Sequence, residues 1–355
     1  MKRYRNRELW PDDHGVHINA HGGGLLRHDG WIYWYGEHKI AGRAGNRAWV
    51  GVHVYRTRDY SRWEDRGIAF DIRGGEAGGL KPGECVIERP KVLCNAKTKK
   101  FVMFFHCETD GKYSDAKVGI ALADHPEGPF ALLKIERPSI GRWPENTPEE
   151  LKDPKRIAFT RSQPPVSNGE NPRTKELSIV GADLPIGQQS RDMTLFQDED
   201  GRAYLIHSSE ANSTLHIVEL DETFTRLDGP CHRAFPLRWM EAPVVFRHGG
   251  RYYMICSGCT GWAPNAARSA VADRIEGPWT ELGNPARGEG AETTFGTQGT
   301  FAWEEQGRIF FLADEWRPEN AIDGRYVWLE VTWEGELPVL RDSENVPLPL
   351  DPLRA

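Results

Sequence analysis

The 355-residue sequence has no long apolar segment, no basic tract and few signals for helices. No apolar run reaches the roughly 18 residues that a membrane-spanning helix needs, so a transmembrane segment is not expected. The formal net charge is −7, which argues against nucleic acids and anionic membranes as partners. The start, MKRYRNRELWPDDHG, is basic but lacks the apolar core of a secretory signal peptide. We therefore expect a globular protein, cytoplasmic as the sequence stands and secreted only if a leader has been removed.

Cysteine is sparse, and its six copies do not form a recognised metal or redox motif. Cys256 and Cys259 make a C-x-x-C pair, but the second pair that a zinc site needs is absent. Free thiols with structural roles are therefore expected. The sequence also lacks a phosphate-binding P-loop, a dinucleotide fingerprint, a Ser–His–Asp order and a calcium-binding loop. Aromatic residues are plentiful, and they serve either to pack a β-rich core or to stack on sugar rings.

One pattern recurs along the chain and indicates β-hairpins. A turn leads into an aromatic or apolar strand that ends in a polar residue. A second strand-like run precedes each copy, for example GLLRH before the first and APVVFRH before the fourth. The five copies are 28-HDGWIYWYGE-37, 97-KTKKFVMFFHCE-108, 199-EDGRAYLIHSSE-210, 248-HGGRYYMICSG-258 and 305-EQGRIFFLADE-315.

Five such repeats of about four strands each predict an all-β fold, a single five-bladed β-propeller that spans residues 1–355. A β-sandwich is the alternative, but it explains the repeats less well. The widest gap between hairpins, residues 133–190, is rich in proline and charge and is predicted to be a long loop insertion. Inside it, 147-TPEELKDPKR-156 predicts a short helix with Thr147 as N-cap and Pro148 at its first position.

Polar residues beside the innermost strands of a propeller converge at one end of the central channel, and they are the candidate functional residues. They are His21, Glu37, Glu88, Asp192, Glu210, Glu241, Thr260, Gln298, Asp314 and Arg325. Five of them have a structural alternative: a surface ion pair for Glu88, a turn cap for Asp192, a turn role for Glu210, a buried and satisfied structural carboxylate for Glu241, and backbone hydrogen bonding for Gln298.

Glu241 has the most apolar neighbours, in 240-MEAPVVF-246. Because burial disfavours the charged form of a carboxyl, we expect a raised pKa, which suits a general acid near neutral pH. Paired carboxylates at the mouth of a propeller indicate glycoside hydrolysis, in which one group protonates the leaving oxygen and another activates water.

An ordered set of motifs resembles glycoside hydrolase family 43, and most closely its branch of exo-β-1,3-galactosidases. The set includes INAHGGGLL, WIYWYGE, IERPKV, YSDA, SRDMTLF, SSEANSTLHI, MEAPVVF, SGCTGWAPNAA and DGRYVWL, and it covers nearly the whole chain. The resemblance implies an inverting, exo-acting hydrolase. By the same matching, Glu241 is the general acid, Asp192 orients that acid and contacts the sugar, and Glu88 is either the base or a helper close to the scissile bond.

The main departure from the family pattern is at Gly22, where typical members carry the aspartate that acts as general base. The galactosidase branch shares this loss and uses a glutamine instead, which Gln298 matches. Gln298 would act through its imidic acid tautomer, or it would position water while Glu88 takes the proton. The run 297-TQG-299 also differs from the Ser-Gln-Ser-like run of the branch.

The resemblance also implies which residues contact the sugar. These are Glu37, Tyr113, Glu210, Asn212 and Thr260, with Trp262, Trp316 or Trp34 as the stacking face. No cofactor is required, and the only metal that the resemblance leaves room for is a structural calcium ion in the central channel, without a catalytic role.

Three functions compete. The first is removal of terminal galactose from β-1,3-linked galactan or arabinogalactan oligosaccharides. The second is a family 43 α-L-arabinofuranosidase, β-galactofuranosidase or β-xylosidase, which the insertion at 133–190 would favour by reshaping the subsites. The third is a non-catalytic carbohydrate-binding propeller, suggested by Gly22. The partner in each case is an oligosaccharide or polysaccharide side chain, and the sequence leaves the oligomeric state open.

Overall fold

The structure is a computed structural model, and it describes residues 4–74, 77–163 and 172–348. The five predicted hairpins are all present as antiparallel strand pairs with the expected turns. Each pair forms the first two strands of a separate sheet, and two further strands extend each of the first four sheets outward, while three extend the fifth. The fold is a five-bladed β-propeller, as the repeats predict.

The described strands follow the chain order of the blades. Blade one contains β1 (His21–His28), β2 (Trp31–His38), β3 (Gly51–Thr57) and β4 (Glu64–Asp71). Blade two contains β5 (Val86–Cys94), β6 (Phe101–Glu108), β7 (Lys117–Ala123) and β8 (Ala131–Glu136). Blade three contains β9 (Met193–Gln197), β10 (Ala203–Ser209), β11 (Thr214–Glu219) and β12 (Cys231–Ala234). Blade four contains β13 (Met240–His248), β14 (Arg251–Gly258), β15 (Arg268–Ala272) and β16 (Thr280–Gly283). Blade five contains β17 (Ala286–Arg287), β18 (Gln298–Glu305), β19 (Arg308–Glu315), β20 (Arg325–Glu334) and β21 (Leu337–Arg341).

The first strand of each hairpin lies innermost and packs against the first strand of the next blade. The strands β1, β5, β9, β13 and β18 form a closed ring in this way, since β18 also packs against β1. The second strand of every blade is almost wholly buried, because apolar clusters fill the space between neighbouring blades. Burial on both faces explains why these strands have continuous apolar runs rather than strict alternation.

The ring closes between blade one and blade five through the N-terminal segment. Asn6 donates from its side chain to the carbonyls of Trp328 and Ser343 and accepts from the backbone of Trp328. A buried aromatic cluster that includes Trp10, Trp34 and Trp328 packs across the same junction. Each blade is built from contiguous chain, so this side-chain packing joins the two ends of the ring.

The inner strands of four blades are interrupted near their first residues by β-bulges. Irregular pairing occurs between His21 and Gly24, after Glu88, after Glu241 and after Gly299. A bulge inserts an unpaired residue and redirects the neighbouring side chains. Glu88, Glu241 and Gln298 therefore leave the regular in-and-out alternation at one end of the channel.

The insertion differs in detail from the predicted loop. Residues 133–136 belong to β8, and the described part of the segment that follows contains two α-helices, α1 (Pro154–Ser162) and α2 (Ile179–Asp183), and two 3-10 helices, Glu149–Lys152 and Pro172–Lys175. Helix α1 begins later than predicted because Asp153 caps it, accepting a hydrogen bond from the backbone N–H of Lys155 at 2.8 Å. Residues 164–171 of the insertion lie outside the described residues. In the part of the chain that the structure describes, no helix is long and apolar enough to cross a membrane.

Candidate active site

A cavity of about 220 Å³ opens where the inner strands begin. Its lining joins residues from all five blades, and most of the lining side chains are charged or aromatic. The lining residues are Glu37, Lys39, Glu88, Arg89, His106, Tyr113, Arg191, Asp192, Asn212, Glu241, Gly261, Trp262, Gln298 and Trp316. The four predicted catalytic residues, Glu241, Gln298, Glu88 and Asp192, therefore lie in one cavity.

Glu241 occupies the second position of β13, immediately before a residue in the left-handed conformation, Ala242 (φ 51°). Burial raises the pKa of Glu241 to about 8, and the negative charge of Asp192 acts in the same direction. The charge of Arg89 and hydrogen bonds from Cys259 and Gln298 oppose this rise. The apolar neighbours in MEAPVVF thus have the predicted consequence: Glu241 keeps its proton at neutral pH.

Gln298 connects the acid to the rest of the site through all four of its hydrogen-bonding positions. Its Nε2 donates to Glu241 Oε1 at 3.2 Å and to Ser257 Oγ at 2.8 Å. Its Oε1 accepts from Arg89 Nη2 at 2.5 Å and from the indole Nε1 of Trp316 at 2.9 Å. Because arginine and tryptophan can only donate, they fix which end of the amide faces the acid.

Arg89 is the central cation of the site, buried to 5% exposure and also in the left-handed conformation (φ 57°). Its Nη2 donates to Asp192 Oδ2 at 2.8 Å as well as to Gln298. Burial alone would lower the pKa of Arg89, but the carboxylates of Asp192, Glu37 and Glu88 raise it above the ordinary value. Arg89 therefore stays charged and ties Asp192 and Gln298 into one assembly.

Glu88 lies at the bulge of β5 and is held by two donors. Tyr113 Oη donates to Glu88 Oε1 at 2.6 Å, and His106 Nδ1 lies 3.1 Å from Oε2. Burial alone would raise the pKa of Glu88, but His106, with help from Lys39 and Tyr113, lowers it to about 2. The two glutamates of the cavity thus have opposite states at neutral pH, with Glu241 protonated and Glu88 ionised.

Glu37 occupies the space that a side chain at Gly22 would need. A Cβ atom added to Gly22 would lie 2.1 Å from Glu37 Oε1, which accepts a hydrogen bond from the backbone N–H of Arg89 at 3.0 Å. Lys39 Nζ lies 2.6 Å from Glu37 Oε2. The aspartate of the typical family pattern is therefore incompatible with this arrangement, because Glu37 fills its place.

Substitution of Gly22 by alanine should lower both stability and activity. The left-handed backbone (φ 61°) costs an alanine about 1–2 kcal/mol, and the new Cβ also displaces Glu37. Gly335 is a matched control, since it has φ 62° but nothing within 4 Å of its Cβ position. We expect Gly22→Ala to lower the melting temperature more than Gly335→Ala and to lower kcat/KM, which Gly335→Ala leaves intact. Equal melting temperatures and equal kcat/KM in the two variants would contradict this account.

Two of the three tryptophans proposed for stacking lie at the cavity. Trp262 is 45% exposed and meets Trp316 with ring centroids 5.8 Å apart and an interplanar angle of 69°. Trp34 does not contribute, since it is fully buried among Trp10, Trp63, Tyr326 and Trp328. Its apolar strand sequence does not reveal whether the side chain points to the channel or to a neighbouring blade.

Two further predicted sugar contacts are not brought to the cavity. Glu210 is buried, and its carboxylate accepts from His216 Nε2 at 2.8 Å and from Arg233 Nε at 2.6 Å. It begins a turn of three consecutive left-handed residues, Glu210 to Asn212, and that turn places Asn212 in the cavity lining. Thr260 donates to the carbonyl of Ala263 at 2.5 Å instead of facing the cavity.

Three other channel candidates lie below or beside the cavity. His21 is buried and stacks on Tyr326 with ring centroids 5.3 Å apart. Asp314 is buried, which raises its pKa to about 7, and it accepts from the backbone N–H of Gly22 at 2.5 Å. Arg325 donates to Asp323 Oδ1 at 2.7 Å. These residues support the inner strands and do not line the cavity.

A lysine amino group lies among the inner strands, which bears on the structural calcium ion that the resemblance allows in the channel. The amino group of Lys91, on β5, donates to the carbonyls of Gly22 at 2.9 Å and Arg89 at 3.3 Å. With this amino group on them, the two oxygens are not open to a calcium ion. Among the described residues, no group of three or more His, Cys, Asp or Glu side chains is arranged to hold a metal. No step of the proposed mechanism involves a metal ion.

The sequence analysis missed four charged residues of the cavity: Lys39, Arg89, His106 and Arg191. The signal for His106 is a histidine inside the apolar run FVMFFHCE, and the signal for Arg89 is an arginine between a carboxylate and a proline in VIERPKV. Charged residues inside buried strands are rare unless they are paired. Lys39 and Arg191 follow or precede strands and have no comparable signal.

Comparisons with known proteins show which family and which solved structures the chain is similar to. The sequence pattern of the glycosyl hydrolases family 43 matches residues 170–279. A solved family 43 β-1,3-galactosidase, determined with galactodeoxynojirimycin, is 40% identical with a TM-score of 0.88, and the match covers 96% of this chain and 99% of that one. An exo-β-1,3-galactanase from Clostridium thermocellum is 29% identical with a TM-score of 0.74, covering 95% of this chain and 64% of that one.

A curated relative from Aspergillus niger, named a β-D-galactofuranosidase, is 30% identical over 96 residues. That match covers 26% of this chain and 27% of the relative. The chain therefore spans only about a quarter of the length of this curated relative.

Proposed function

The chain belongs to glycoside hydrolase family 43, and we propose that it is an exo-acting, inverting hydrolase that releases terminal galactose from β-1,3-linked galactan or arabinogalactan oligosaccharides. The observation that carries the proposal is Glu241, a carboxyl group that keeps its proton at neutral pH in a cavity with Asp192, Arg89 and an ionised Glu88. Two solved relatives with long matches are named a β-1,3-galactosidase and an exo-β-1,3-galactanase.

The position of the cavity suits a terminal sugar. It has a volume of about 220 Å³ and lies at one end of the channel. A terminal galactose would enter it, and the remaining sugars would extend past Trp262, which is 45% exposed at its edge. Aromatic faces of this kind suit the apolar faces of sugar rings. The solved β-1,3-galactosidase that is 40% identical was determined with galactodeoxynojirimycin, which agrees with galactose as the occupant.

In the proposed reaction, Glu241 gives its proton to the glycosidic oxygen while the bond from that oxygen to the anomeric carbon breaks. A water molecule attacks the opposite face of the anomeric carbon and gives one of its two protons to a base. A β-linked galactose is released as α-galactose. Glu241, now ionised, regains a proton from solvent before the next turnover. Asp192 raises the proton affinity of Glu241, while Gln298 and Cys259 hold its carboxyl group.

Two groups can receive the proton of the attacking water. Gln298 uses all four of its hydrogen-bonding positions within the protein, so it meets water only after substrate displaces one of those contacts. Glu88 accepts from Tyr113 and His106, which leaves free two of the roughly four acceptor positions of a carboxylate. The hydrogen bonding therefore favours Glu88 as the group that holds water before substrate binds.

A second candidate is cleavage of a different terminal sugar in the same cavity. Curated relatives with shorter matches carry the names of a β-galactofuranosidase and a β-xylosidase. This second reaction would use the same fold and the same general acid. The residues that contact the sugar hydroxyls would bind a different sugar ring.

Hydrolysis of β-1,3-galactobiose, measured beside aryl α-L-arabinofuranoside, β-galactofuranoside and β-xyloside, tests the proposal. Proton NMR follows the anomer released in the first minutes, before mutarotation. Initial release of α-galactose from the dimer is the expected result. Cleavage of a furanoside or xyloside alone would transfer the assignment to the second candidate. Binding of galactose without cleavage of any substrate would favour a carbohydrate-binding propeller.

A further inference from the structure

A closed ring of hydrogen bonds surrounds Glu88. Its Oε2 lies 3.1 Å from His106 Nδ1, and the opposite ring nitrogen, Nε2, lies 2.9 Å from Glu108 Oε1. The second oxygen of Glu108 accepts from the backbone N–H groups of Asp115 at 2.7 Å and Ala116 at 2.9 Å. The same loop carries Tyr113, whose hydroxyl donates to Glu88 at 2.6 Å. The ring therefore begins and ends at the carboxylate of Glu88.

The contacts of His106 require a proton on each of its ring nitrogens. A neutral imidazole has one N–H and one lone pair, so one of the two carboxylates would face a lone pair. His106 is 1% exposed and Glu108 is fully buried, and a carboxylate oxygen that faces a lone pair in such a place is costly. Consistent with this, burial alone would lower the pKa of His106, but Glu108 and Glu88 raise it to about 9.

Other charged groups around this ring do not replace the histidine. Lys39 follows β2 and lowers the pKa of Glu88 through its charge, but its direct ion pair is with Glu37 at 2.6 Å. Arg191 precedes β9 and lies 3.6 Å from Glu108, and it donates to the carbonyl of Tyr113 at 2.7 Å. His106 is thus the one cation in direct contact with both carboxylates among the described residues.

We propose that His106 is a positioning residue whose imidazolium keeps Glu88 ionised and fixed, so that at neutral pH, where Glu241 is protonated, Glu88 accepts hydrogen bonds or a proton and does not donate one. The inference rests on the proposed glycosidase function and deepens it, since it assigns separate roles to two glutamates in one cavity. Environments that raise the pKa of one carboxyl group and lower the pKa of another are the usual basis of such a division of roles.

The first test is the pH dependence of His106→Gln. Without the imidazolium, burial is opposed by the charge of Lys39 and the hydrogen bond from Tyr113 but no longer by His106, so the pKa of Glu88 rises. Because Glu88 is active only when ionised, we expect kcat/KM on β-1,3-galactobiose to fall between pH 7.5 and 5. Relative to the wild type, the fall should be at least about tenfold, which corresponds to one pKa unit. An acidic limb identical to that of the wild type would overturn the proposal.

His53→Gln is the matched control. His53 is also buried against a carboxylate, with Nε2 at 2.7 Å from Asp65 Oδ1, but it lies on β3 away from the cavity. Both substitutions remove a buried histidine from a carboxylate, so both are expected to lower the melting temperature. Only His106→Gln is expected to alter the acidic limb of activity.

A second measurement does not depend on catalysis or on the folding of a variant. In the ¹⁵N-labelled wild-type protein, the ring nitrogens of His106 should both be protonated at pH 7 and should titrate near pH 9, the value given by its two carboxylate partners. A neutral ring at pH 7 overturns the proposal even if galactobiose is cleaved. If galactobiose is not cleaved but the ring is charged, the proposed substrate fails and the assignment of His106 stands.

Discussion

Glu241→Gln should lower kcat on β-1,3-galactobiose by about 10²–10⁴-fold, the usual contribution of a general acid. The glutamine keeps the shape of the side chain and can still accept from Gln298, but it has no proton to give the glycosidic oxygen. An aryl galactoside with a good leaving group should lose much less, because its oxygen departs without protonation. Parallel kinetics on the two substrates, with affinity for galactose measured by calorimetry, check this difference.

The control for this variant is Glu319→Gln, since Glu319 is largely exposed and pairs with Arg43 at the surface. It should leave both substrates unaffected. An equal loss on galactobiose and on the aryl substrate in Glu241→Gln would show that Glu241 binds or supports the site and does not donate a proton.

The same carboxyl group should set the alkaline limb of the pH profile. Its pKa is raised to about 8, and the active form is the protonated one, so activity is full below that value and is lost as the pH rises through it. Above about pH 8, kcat/KM should fall about tenfold per pH unit. The limb should be absent from the residual activity of Glu241→Gln.

Gln298→Ala should lower kcat by about 10²–10³-fold, comparable with removal of one well-placed hydrogen-bond donor at a reaction centre. The substitution leaves Arg89 and Trp316 without their shared acceptor and removes a donor from Glu241. Because the hydrogen bond from Gln298 lowers the pKa of Glu241, the alkaline limb should also move to higher pH. Steady-state kinetics from about pH 6 to 10 measure both effects.

Gln197→Ala, which alters an exposed glutamine on β9, is the control and should behave as the wild type.

Added azide then assigns the water-activating group. Partial recovery of Gln298→Ala with formation of galactosyl azide would place water activation at Gln298, and recovery of Glu88→Ala instead would place it at Glu88. Near-normal kcat in Gln298→Ala would exclude Gln298 from the reaction.

The fold could be predicted because its signals are local. Each hairpin combines a glycine or lysine turn with an apolar strand, and five such repeats favour a closed ring of blades over a β-sandwich. Within the insertion the prediction was less accurate. A short 3-10 helix, Glu149–Lys152, follows Pro148, and the α-helix α1 begins only after Asp153.

Only part of the site was predictable, because only some of its features depend on neighbours in the sequence. The raised pKa of Glu241 follows from its immediate neighbours, which are apolar in the sequence and remain so in the fold. Glu210 looked equally suited to bind a sugar, but Arg233 and His216 come from other strands of its blade and occupy its carboxylate. Trp34 has the sequence context of a channel residue, yet its side chain enters the junction between blades one and five.

The sequence by itself determined the propeller fold, the general acid Glu241 and the position of Glu88, Asp192 and Gln298 at the same end of the channel. The tertiary structure alone decided that Arg89 ties these residues together, that Glu37 fills the space above Gly22 and that His106 keeps Glu88 charged. These contacts join residues about 20 to 200 positions apart. Their charges become decisive only when burial removes water from between them.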